Sequence, residues 1–421
     1  MVLTVAGCAS APAEWPQWGG PNRDFLVRST GLASSWPVDG PRRIWHRELG
    51  DGYSTILVDN GMLYTMYRTG ADEFTVALDA DSGATIWQHK QPSPTTPLMD
   101  EYGAGPHTTP LIAGDRLFTV GTNAVMHGYD KGSGRVLWKH DLAAEYNAPI
   151  PGRGYGASPI AYGNTIIVPV DRKRDRNQDE SDEGDGEKKT EETTEGQSLI
   201  AFDQATGEVV WKSQDDRVTY ASPILINFEG QDQLVLLMAE AVMGVNPLTG
   251  ELLWHTQITP SGANLSTPVW NGKDLLFCSS AYDSGSRVMQ LIKKDGETVP
   301  KQLWYTRKMR MHHGNAVQLG DYLYGSSGDF GPAFFTALNL TTGKPAWRER
   351  GFRKSNCVYA DGKLIILDED GKLALTTISP EGLKVLSECT VAERYAWAAP
   401  TLVGTTLYVR DRMHIMALDL G

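Results

Sequence analysis

Short apolar strands separated by polar turns recur along the whole chain. Residues 201–211 show the unit, in which an apolar strand ends at Asp203, a turn closes at Gly207 and a second strand runs to Trp211. An Asp side chain accepts hydrogen bonds from the backbone just after it, and Gly adopts the left-handed conformation that closes such a turn. The pattern therefore predicts a β-hairpin. Four further hairpins with the same internal spacing, two of them with Asn in place of Asp, are found at 79–87, 130–138, 246–254 and 339–347.

A second recurring feature, a pair of alternating strands joined by a glycine turn, precedes each hairpin. Eight such pairs are found, and their first strands begin near residues 54, 109, 158, 222, 267, 315, 356 and 399. A pair and a hairpin together make four short strands, and a repeat of roughly 40 to 50 residues is typical of a propeller blade. The pattern therefore predicts an all-β fold, an eight-bladed β-propeller of four-stranded antiparallel blades.

The two ends of the chain complete one blade. Arg43-Ile44-Trp45 is the closing half of a hairpin without an opening half, and residues 415–419 form an opening strand with no Trp strand after it. Pairing the ends leaves no open sheet edge, which is how a ring of blades closes. Residues 15–421 are thus predicted to form one domain. Blades 5 and 7 are irregular, because blade 5 has an extended turn at 293–300 and blade 7 has no motif Trp.

Composition and charge exclude some classes of function. The 421 residues carry a formal net charge of −12, and no run of Lys and Arg alternates with aromatic residues, so nucleic acid is not an expected partner. No apolar run reaches the roughly 18 residues that span a bilayer. The chain has 4 Cys and no C-x-x-C pair. Cys357 and Cys389 are predicted on the first and last strands of one blade, about 14 Å apart, so we expect buried free thiols rather than a disulfide.

Two segments do not follow the blade pattern. Residues 1–14 contain Val5-Ala6-Gly7-Cys8, which is similar to a bacterial lipobox, and we interpret them as a signal-peptide remnant and tether with Cys8 as a lipidation site. A chance tetrapeptide is the alternative. Residues 171–197 are almost wholly charged or small, which predicts a disordered acidic insert in blade 3. A calcium-binding loop is the alternative there, although the run lacks the spacing of an EF-hand loop.

The hairpin motif and the aromatic leader Trp15-Pro16-Gln17-Trp18 resemble the pyrroloquinoline quinone-like (PQQ-like) propeller repeat family. That family includes quinoprotein alcohol dehydrogenases, the outer-membrane assembly lipoprotein BamB, which binds a β-barrel insertase, and poorly understood envelope propellers. The resemblance implies that each motif Trp is a docking residue, packed between adjacent blades with its N–H offered to a neighbouring backbone carbonyl. These docking residues are Trp45, Trp87, Trp138, Trp211, Trp254, Trp304 and Trp347.

The resemblance leaves two functions open. The dehydrogenases carry two adjacent cysteines over the cofactor, and a calcium ion held by Glu and Asn beside an Asp base. This chain has no Cys-Cys pair, and Glu240 is its best single candidate carboxylate. The leading hypothesis is a non-catalytic, monomeric binding or scaffold protein of the bacterial periplasm or outer membrane, without cofactor or metal. Its partner would be an envelope protein or a small anionic ligand. The alternative is a periplasmic oxidoreductase that depends on PQQ and calcium.

Polar residues just before the first strand of each blade are candidates for a ligand site, because these ends surround the mouth of the central channel. The candidates are His107, Arg153, Tyr155, Tyr220, Asn264, His312, His313, Asn356, Tyr395 and Trp397. Cations, amides and aromatic rings together suit a polar or anionic ligand, although a solvated funnel without a ligand remains open. Adjacent His312 and His313 should point to opposite faces of a strand, so we do not expect a shared metal. Histidine protonation should strengthen anion binding below about pH 6.5.

Overall fold

The alternating strands fold into eight four-stranded antiparallel sheets. The computed structural model describes residues 15–171, 196–261, 263–282, 284–329 and 332–421. Within these ranges the helices are two single turns, α1 (Pro97–Asp100) and α2 (Leu142–Glu145). The predicted all-β, eight-bladed propeller is therefore confirmed. Cys8, the tether and nearly all of the acidic insert lie outside the described residues.

Strands are numbered in chain order, and blades by the order of their inner strands. The chain opens with β1 (Arg42–Glu48), which belongs to the last blade. Blade 1 contains β2 (Leu57–Asp59), β3 (Met62–Thr69), β4 (Asp72–Asp79) and β5 (Thr85–Pro92). Blade 2 contains β6 (Leu111–Ala113), β7 (Arg116–Val120), β8 (Val125–Asp130) and β9 (Val136–Asp141). Blade 3 contains β10 (Ile160–Tyr162), β11 (Thr165–Pro169), β12 (Leu199–Asp203) and β13 (Val209–Ser213).

The second half of the ring repeats this arrangement. Blade 4 contains β14 (Ile224–Phe228), β15 (Gln231–Leu237), β16 (Ala241–Val245) and β17 (Leu252–Gln257). Blade 5 contains β18 (Val269–Trp270), β19 (Leu275–Ser280), β20 (Gly285–Lys294) and β21 (Glu297–Thr306). Blade 6 contains β22 (Ala316–Leu319), β23 (Tyr322–Ser327), β24 (Phe334–Asn339) and β25 (Pro345–Arg350). Blade 7 contains β26 (Asn356–Ala360), β27 (Lys363–Leu367), β28 (Lys372–Ser379) and β29 (Gly382–Thr390). Blade 8 contains β30 (Thr401–Val403), β31 (Thr406–Arg410), β32 (His414–Asp419) and the returning β1.

The two ends of the chain close the ring as the sequence predicts. Strand β1 pairs antiparallel with β32, and Trp45 lies opposite Ala417 in the register. At the end of the ladder an ion pair joins Arg42 to Asp419 at 2.8 Å. The closing blade therefore has its outer strand from the start of the chain and its three inner strands from the end, which leaves no gap between blades 8 and 1.

Each motif hairpin is held by contacts within a few residues. In blade 2, Asp130 Oδ1 accepts hydrogen bonds from the Ser133 backbone N–H at 2.9 Å and from the Ser133 hydroxyl at 2.6 Å. Gly134 then adopts φ +72°, and a Cβ added there would lie 2.4 Å from Trp87 Cε3 of blade 1. The turn therefore needs glycine for two reasons, the left-handed backbone and the indole that covers it. The same contact joins Trp45 to Gly83, Trp138 to Gly207, Trp211 to Gly250 and Trp304 to Gly343.

The motif tryptophans occupy the interfaces between adjacent blades. The ring of Trp138 lies between Phe118 of its own blade and Phe202 of blade 3, with centroid distances of 5.6 and 6.4 Å. Five of the indoles donate their N–H to a backbone carbonyl of the next blade, namely Trp45 to Ala80, Trp87 to Lys131, Trp138 to Gln204, Trp304 to Leu340 and Trp347 to Ser379. The apolar core is accordingly distributed between the blades as a ring of clusters.

Two indoles differ from the expected pattern. Trp254 faces the long β20–β21 hairpin of blade 5, in which residues 293–300 are strand ends joined at Asp295 and Gly296 and not the extended turn expected from the sequence. Its indole donates to the Gln233 side-chain oxygen at 2.6 Å instead of to a backbone carbonyl. The Gln233 amide in turn donates to Thr298 of blade 5 at 2.9 Å, so the side chain replaces the missing carbonyl. Trp211 Nε1 is buried without an acceptor among the described residues.

The aromatic leader and the residues after it, together residues 15–27 and called the leader from here on, cross the channel, which the sequence did not predict. Trp15 pairs through its backbone with Val58 of blade 1 at 2.9 and 3.1 Å, and Val27 N–H donates to Tyr359 of blade 7 at 3.0 Å. Between these ends, Arg23 is buried and donates to the carbonyls of Pro159 in blade 3 and Pro223 in blade 4. Burial lowers the pKa of this guanidinium to about 9. The leader thus joins blades on opposite sides of the ring.

Three cysteines lie in the described part of the chain. Cys278, Cys357 and Cys389 are free thiols as expected, but only Cys278 and Cys357 are buried and Cys389 is partly exposed. Burial raises the pKa of Cys278 to about 12, so this thiol is not reactive at neutral pH. Over the described ranges no helix is long and apolar enough to cross a bilayer.

Candidate ligand site at the channel mouth

A cavity of about 520 Å³ opens among the loops that precede the inner strands. Hydroxyl groups at the start of these strands link the blades around it, because Thr109 N–H donates to Ser158 Oγ and Ser158 N–H to Ser222 Oγ, both at 2.9 Å. Ser158 and Ser222 also line the cavity, together with Trp18 of the leader. Trp18 is fixed by a 2.9 Å hydrogen bond from its indole to Thr267 of blade 5. The leader therefore forms part of the cavity wall.

The structure brings most of the proposed mouth residues together at this cavity. Those that line it are His107, Arg153, Tyr220, His312, His313, Tyr395 and Trp397. Tyr155, Asn264 and Asn356 are buried away from it and hold backbone instead. The Tyr155 hydroxyl donates to the Pro169 carbonyl at 2.6 Å. The two amides donate to the Met238 and Trp397 carbonyls at 2.6 and 2.9 Å.

An aromatic wall is built around Trp397. His313 stacks on this indole with a centroid distance of 4.3 Å, and Tyr395 and Tyr53 lie 4.6 and 5.2 Å away. Tyr53 in turn stacks on His107 at 5.4 Å with nearly parallel planes. Rings from the loops before blades 1, 2, 6 and 8 thus meet in one place, which offers a flat apolar surface to a ligand.

The two adjacent histidines do not point to opposite faces of a strand, which corrects that part of the expectation. His312 and His313 lie in the loop before β22 and not on a strand, so their side chains are not forced to opposite faces. Their ring centroids are 3.9 Å apart, and both rings line the cavity. The His312 ring also hydrogen-bonds the Tyr282 hydroxyl at 2.5 Å. In the described part of the chain, no group of three His, Cys, Asp or Glu side chains is placed to hold a metal ion.

The expected protonation of the histidines near pH 6.5 is also wrong. Burial lowers the pKa of His107 and of His312 to about 4. Burial, and then the neighbouring His312 and Lys354, lower the pKa of His313 well below its usual range. All three rings are therefore neutral at pH 7, and the positive charge of the cavity comes from other residues.

Four cationic side chains line the cavity, and no carboxylate is found among the described residues that line it. The cations are Arg153, Arg353, Lys354 and Arg394. Arg153 forms an ion pair with Glu101 at 2.7 Å and lies over the Tyr102 ring at 5.1 Å, so its charge is already balanced at the rim. The excess positive charge therefore lies on the blade 7 and blade 8 side.

Glu369, whose side chain is fully buried, lies behind the blade 7 and blade 8 side of the cavity. Its carboxylate is within 2.8 Å of Arg353, 3.9 Å of Lys354 and 3.8 Å of Arg394. It also accepts a hydrogen bond from the Trp397 indole at 3.1 Å, which fixes the aromatic wall.

These charged residues were missed in the sequence, although a signal existed. Arg353 and Lys354 stand just before β26, as His312 and His313 stand just before β22. The criterion that selected the histidines, a polar residue just before the first strand of a blade, is therefore also met by Arg353 and Lys354. Glu240, the candidate carboxylate for an enzyme, is instead exposed in the bend between β15 and β16 and does not line the cavity.

Comparison with known proteins places the fold in a family. A model of the PQQ-like repeats, described as outer membrane protein assembly factor BamB, matches residues 71–349, more than half of the chain. The chain belongs to this PQQ-like propeller family. A search of curated proteins gave no match.

Solved structures share the PQQ-like propeller fold at low sequence identity. A quinohemoprotein alcohol dehydrogenase from Comamonas testosteroni is 12% identical with a TM-score of 0.65, covering 97% of this chain and 81% of that one. A europium-containing methanol dehydrogenase is 14% identical with a TM-score of 0.64, covering 94% and 89%. The computationally designed protein Ika8 is 11% identical with a TM-score of 0.56, covering 92% and 100%. At such identities the likeness concerns the fold alone.

The lining of the cavity can be compared with the calcium ion and the carboxylate base that the resemblance to the dehydrogenases implies. Calcium takes six to eight oxygen ligands, chiefly from carboxylates and carbonyls. The described lining residues include no Asp, Glu, Asn or Gln, and Glu369 lies behind the wall among cations. The lining thus fits neither a calcium ion nor a carboxylate base, whereas its cations and its indole suit a flat anion.

Proposed function

We propose that this PQQ-like propeller is a non-catalytic binding protein of the bacterial cell envelope that holds a small anionic ligand in its channel mouth. One observation carries the proposal. The cavity is lined by four cations, and no carboxylate is found among its described lining residues, in a chain whose net charge is −12. A cavity charged opposite to the whole chain favours a negatively charged ligand.

The lining also narrows the ligand class. Arg353 and Arg394 contact Glu369 but remain 41% and 51% exposed, so part of each side chain is accessible to a ligand. Arginine forks bind carboxylate or phosphate with two parallel hydrogen bonds. The Trp397 indole supplies a flat neighbour for a ring. The best-fitting ligand is a small ring that carries carboxylate or phosphate groups.

The dehydrogenase alternative shares part of this chemistry. PQQ is itself a planar ring with three carboxylates, and it belongs to the proposed ligand class. Catalysis in that alternative requires calcium and a base, and the described lining supplies no carboxylate or side-chain amide oxygen for either. We therefore favour binding without turnover. The envelope location rests on the family and on the lipobox-like stretch before Cys8, and labelling with a radioactive fatty acid, compared with Cys8→Ser, tests it.

Ligand binding is tested by tryptophan fluorescence and calorimetry. The probes are inorganic phosphate, citrate, pyridoxine 5′-phosphate and PQQ, each at low and high salt. We expect the ring-bearing anions to bind and to quench fluorescence, and binding to weaken as salt screens the arginines. Arg394→Ala should weaken it. Arg135→Ala, which removes an exposed arginine from the hairpin turn at the other end of the blade 2 sheet, is the matched control.

Two results would contradict the proposal. If no probe binds, or if Arg394→Ala and Arg135→Ala bind alike, the cavity is not an anion site, and a protein partner on the outer loops becomes the better hypothesis. If the protein reduces a dye with PQQ, calcium and an alcohol, it is an enzyme.

A further inference from the structure

One lysine stands out among the charged groups of the cavity. The Lys354 side chain is 8% exposed and lines the cavity, and its Nζ lies 5.7 Å from the centre of the Trp397 ring. The loop that carries it has left-handed backbone at Phe352, with φ +51°, and at Lys354 itself, with φ +43°. Left-handed backbone at non-glycine residues persists where the surrounding structure demands it, and it is enriched at functional sites.

Lys354 lies in a cluster of charged side chains, of which the described part contains both cations and carboxylates. Glu369 faces Arg353, Lys354 and Arg394, and Arg394 also pairs with Asp370 at 3.3 Å. Asp329 faces the same group and pairs with Arg310 at 3.4 Å. Among the described residues these contacts gather Arg310, Arg353, Lys354 and Arg394 around Glu369, Asp370 and Asp329, while the nearby His312 and His313 rings are neutral.

Lys354 is the cation of this cluster that can give up its proton. A guanidinium stays protonated in proteins, whereas a lysine in a desolvated, cation-rich place gives up its proton readily. Burial first, and then Arg353 and Arg394, lower the pKa of Lys354, although Glu369 and Asp329 oppose them. A neutral amine on a cavity wall is a nucleophile.

We infer that Lys354 captures the carbonyl group of an anionic ligand as a reversible imine, which makes the ligand a ring-bearing aldehyde or ketone with carboxylate or phosphate groups. The Nζ lone pair adds to the carbonyl carbon to give a carbinolamine. Loss of water then forms the C=N bond, and the imine nitrogen takes up a proton from solvent. No oxidant or reductant takes part. This inference rests on the proposed anion site and adds the functional group that the ligand must carry.

The test compares two phosphates that differ in a single group. Pyridoxal 5′-phosphate has an aldehyde, and pyridoxine 5′-phosphate has an alcohol in its place. The full-length protein is incubated with each at pH 7.5, treated with sodium cyanoborohydride, digested and analysed by mass spectrometry. We expect a reduced pyridoxyl adduct on Lys354 with the aldehyde, formed before any adduct on Lys90, a 60% exposed lysine paired with Asp72. The alcohol should bind reversibly and give no adduct.

A substitution at Lys354 distinguishes the loss of the primary amine from the loss of the positive charge. Lys354→Arg keeps the positive charge, so it should retain binding of pyridoxine 5′-phosphate and lose the imine absorbance and the adduct completely. Circular dichroism checks that the variant is folded. If the alcohol binds but Lys354 is labelled no faster than Lys90, the imine is overturned and the anion site stands. If neither phosphate binds, both ideas are overturned.

Discussion

Replacing Gly134 with Ala tests how the blades are docked. The change places a Cβ in a left-handed backbone at φ +72° and 2.4 Å from Trp87 Cε3. The backbone alone costs about 1–2 kcal/mol for a non-glycine residue. Overpacking the indole adds about 1–3 kcal/mol, so we expect the free energy of unfolding to fall by about 2–5 kcal/mol.

A matched glycine separates the two contributions. Gly61 has almost the same backbone, at φ +74°, but a Cβ added there meets nothing within 4 Å. Gly61→Ala should therefore lose only the backbone contribution of about 1–2 kcal/mol. Urea unfolding followed by tryptophan fluorescence and far-ultraviolet circular dichroism measures both variants.

The indole itself provides the second control. In a Trp87→Ala background the ring is gone, so the added cost of Gly134→Ala should shrink to that of Gly61→Ala. The docking argument is refuted if Gly134→Ala and Gly61→Ala destabilise the wild type equally, or if removing the ring leaves the difference between them unchanged.

Three further predictions follow from the closure and from the cavity. Deleting residues 409–421 removes β32, so β1 loses its partner and the propeller should no longer fold, as measured by circular dichroism. A truncated protein that melts at the full-length temperature would contradict the closure. His107 and His312 have folded pKa values of about 4, below the usual value near 6.5, so the unfolded chain binds more protons between these values. The unfolding free energy should thus be steady above pH 6.5 and fall as pH drops towards 4, whereas an unchanged stability down to pH 4 would refute the burial of these rings. Arg153→Ala should weaken anion binding less than Arg394→Ala in calorimetry, because Glu101 lies 2.7 Å from Arg153, closer than Asp370 (3.3 Å) lies to Arg394. An equal loss would count against this difference in pairing in solution.

Local contacts explain why the sequence alone predicted so much of this fold. The turn of each hairpin depends on atoms only a few residues apart, such as Asp130, Ser133 and Gly134. A pattern of residue types therefore specifies the turn without knowledge of distant neighbours. The count of eight follows from repetition of that pattern, and the closing blade follows from the two unmatched half-hairpins at the ends.

The cavity could be predicted only in part, because its character depends on loops that are distant in sequence. The sequence placed His107 and Trp397 at the mouth, but it could not show that the histidines are buried and hence neutral. Burial depends on which rings from other blades cover a side chain, and that decides whether it carries charge at pH 7.

Tertiary structure alone decided where the charge of the site lies. Arg353, Glu369 and Arg394 are separated by a strand or more of blade 7, and only the folded sheet brings them within 4 Å. The leader is a similar case, since Arg23 finds its acceptors on two distant blades. Sequence pattern determines structure where the partners are near in the chain, while the binding surface of a ring-shaped fold is assembled from one loop of each blade and is set by the geometry of the closed ring.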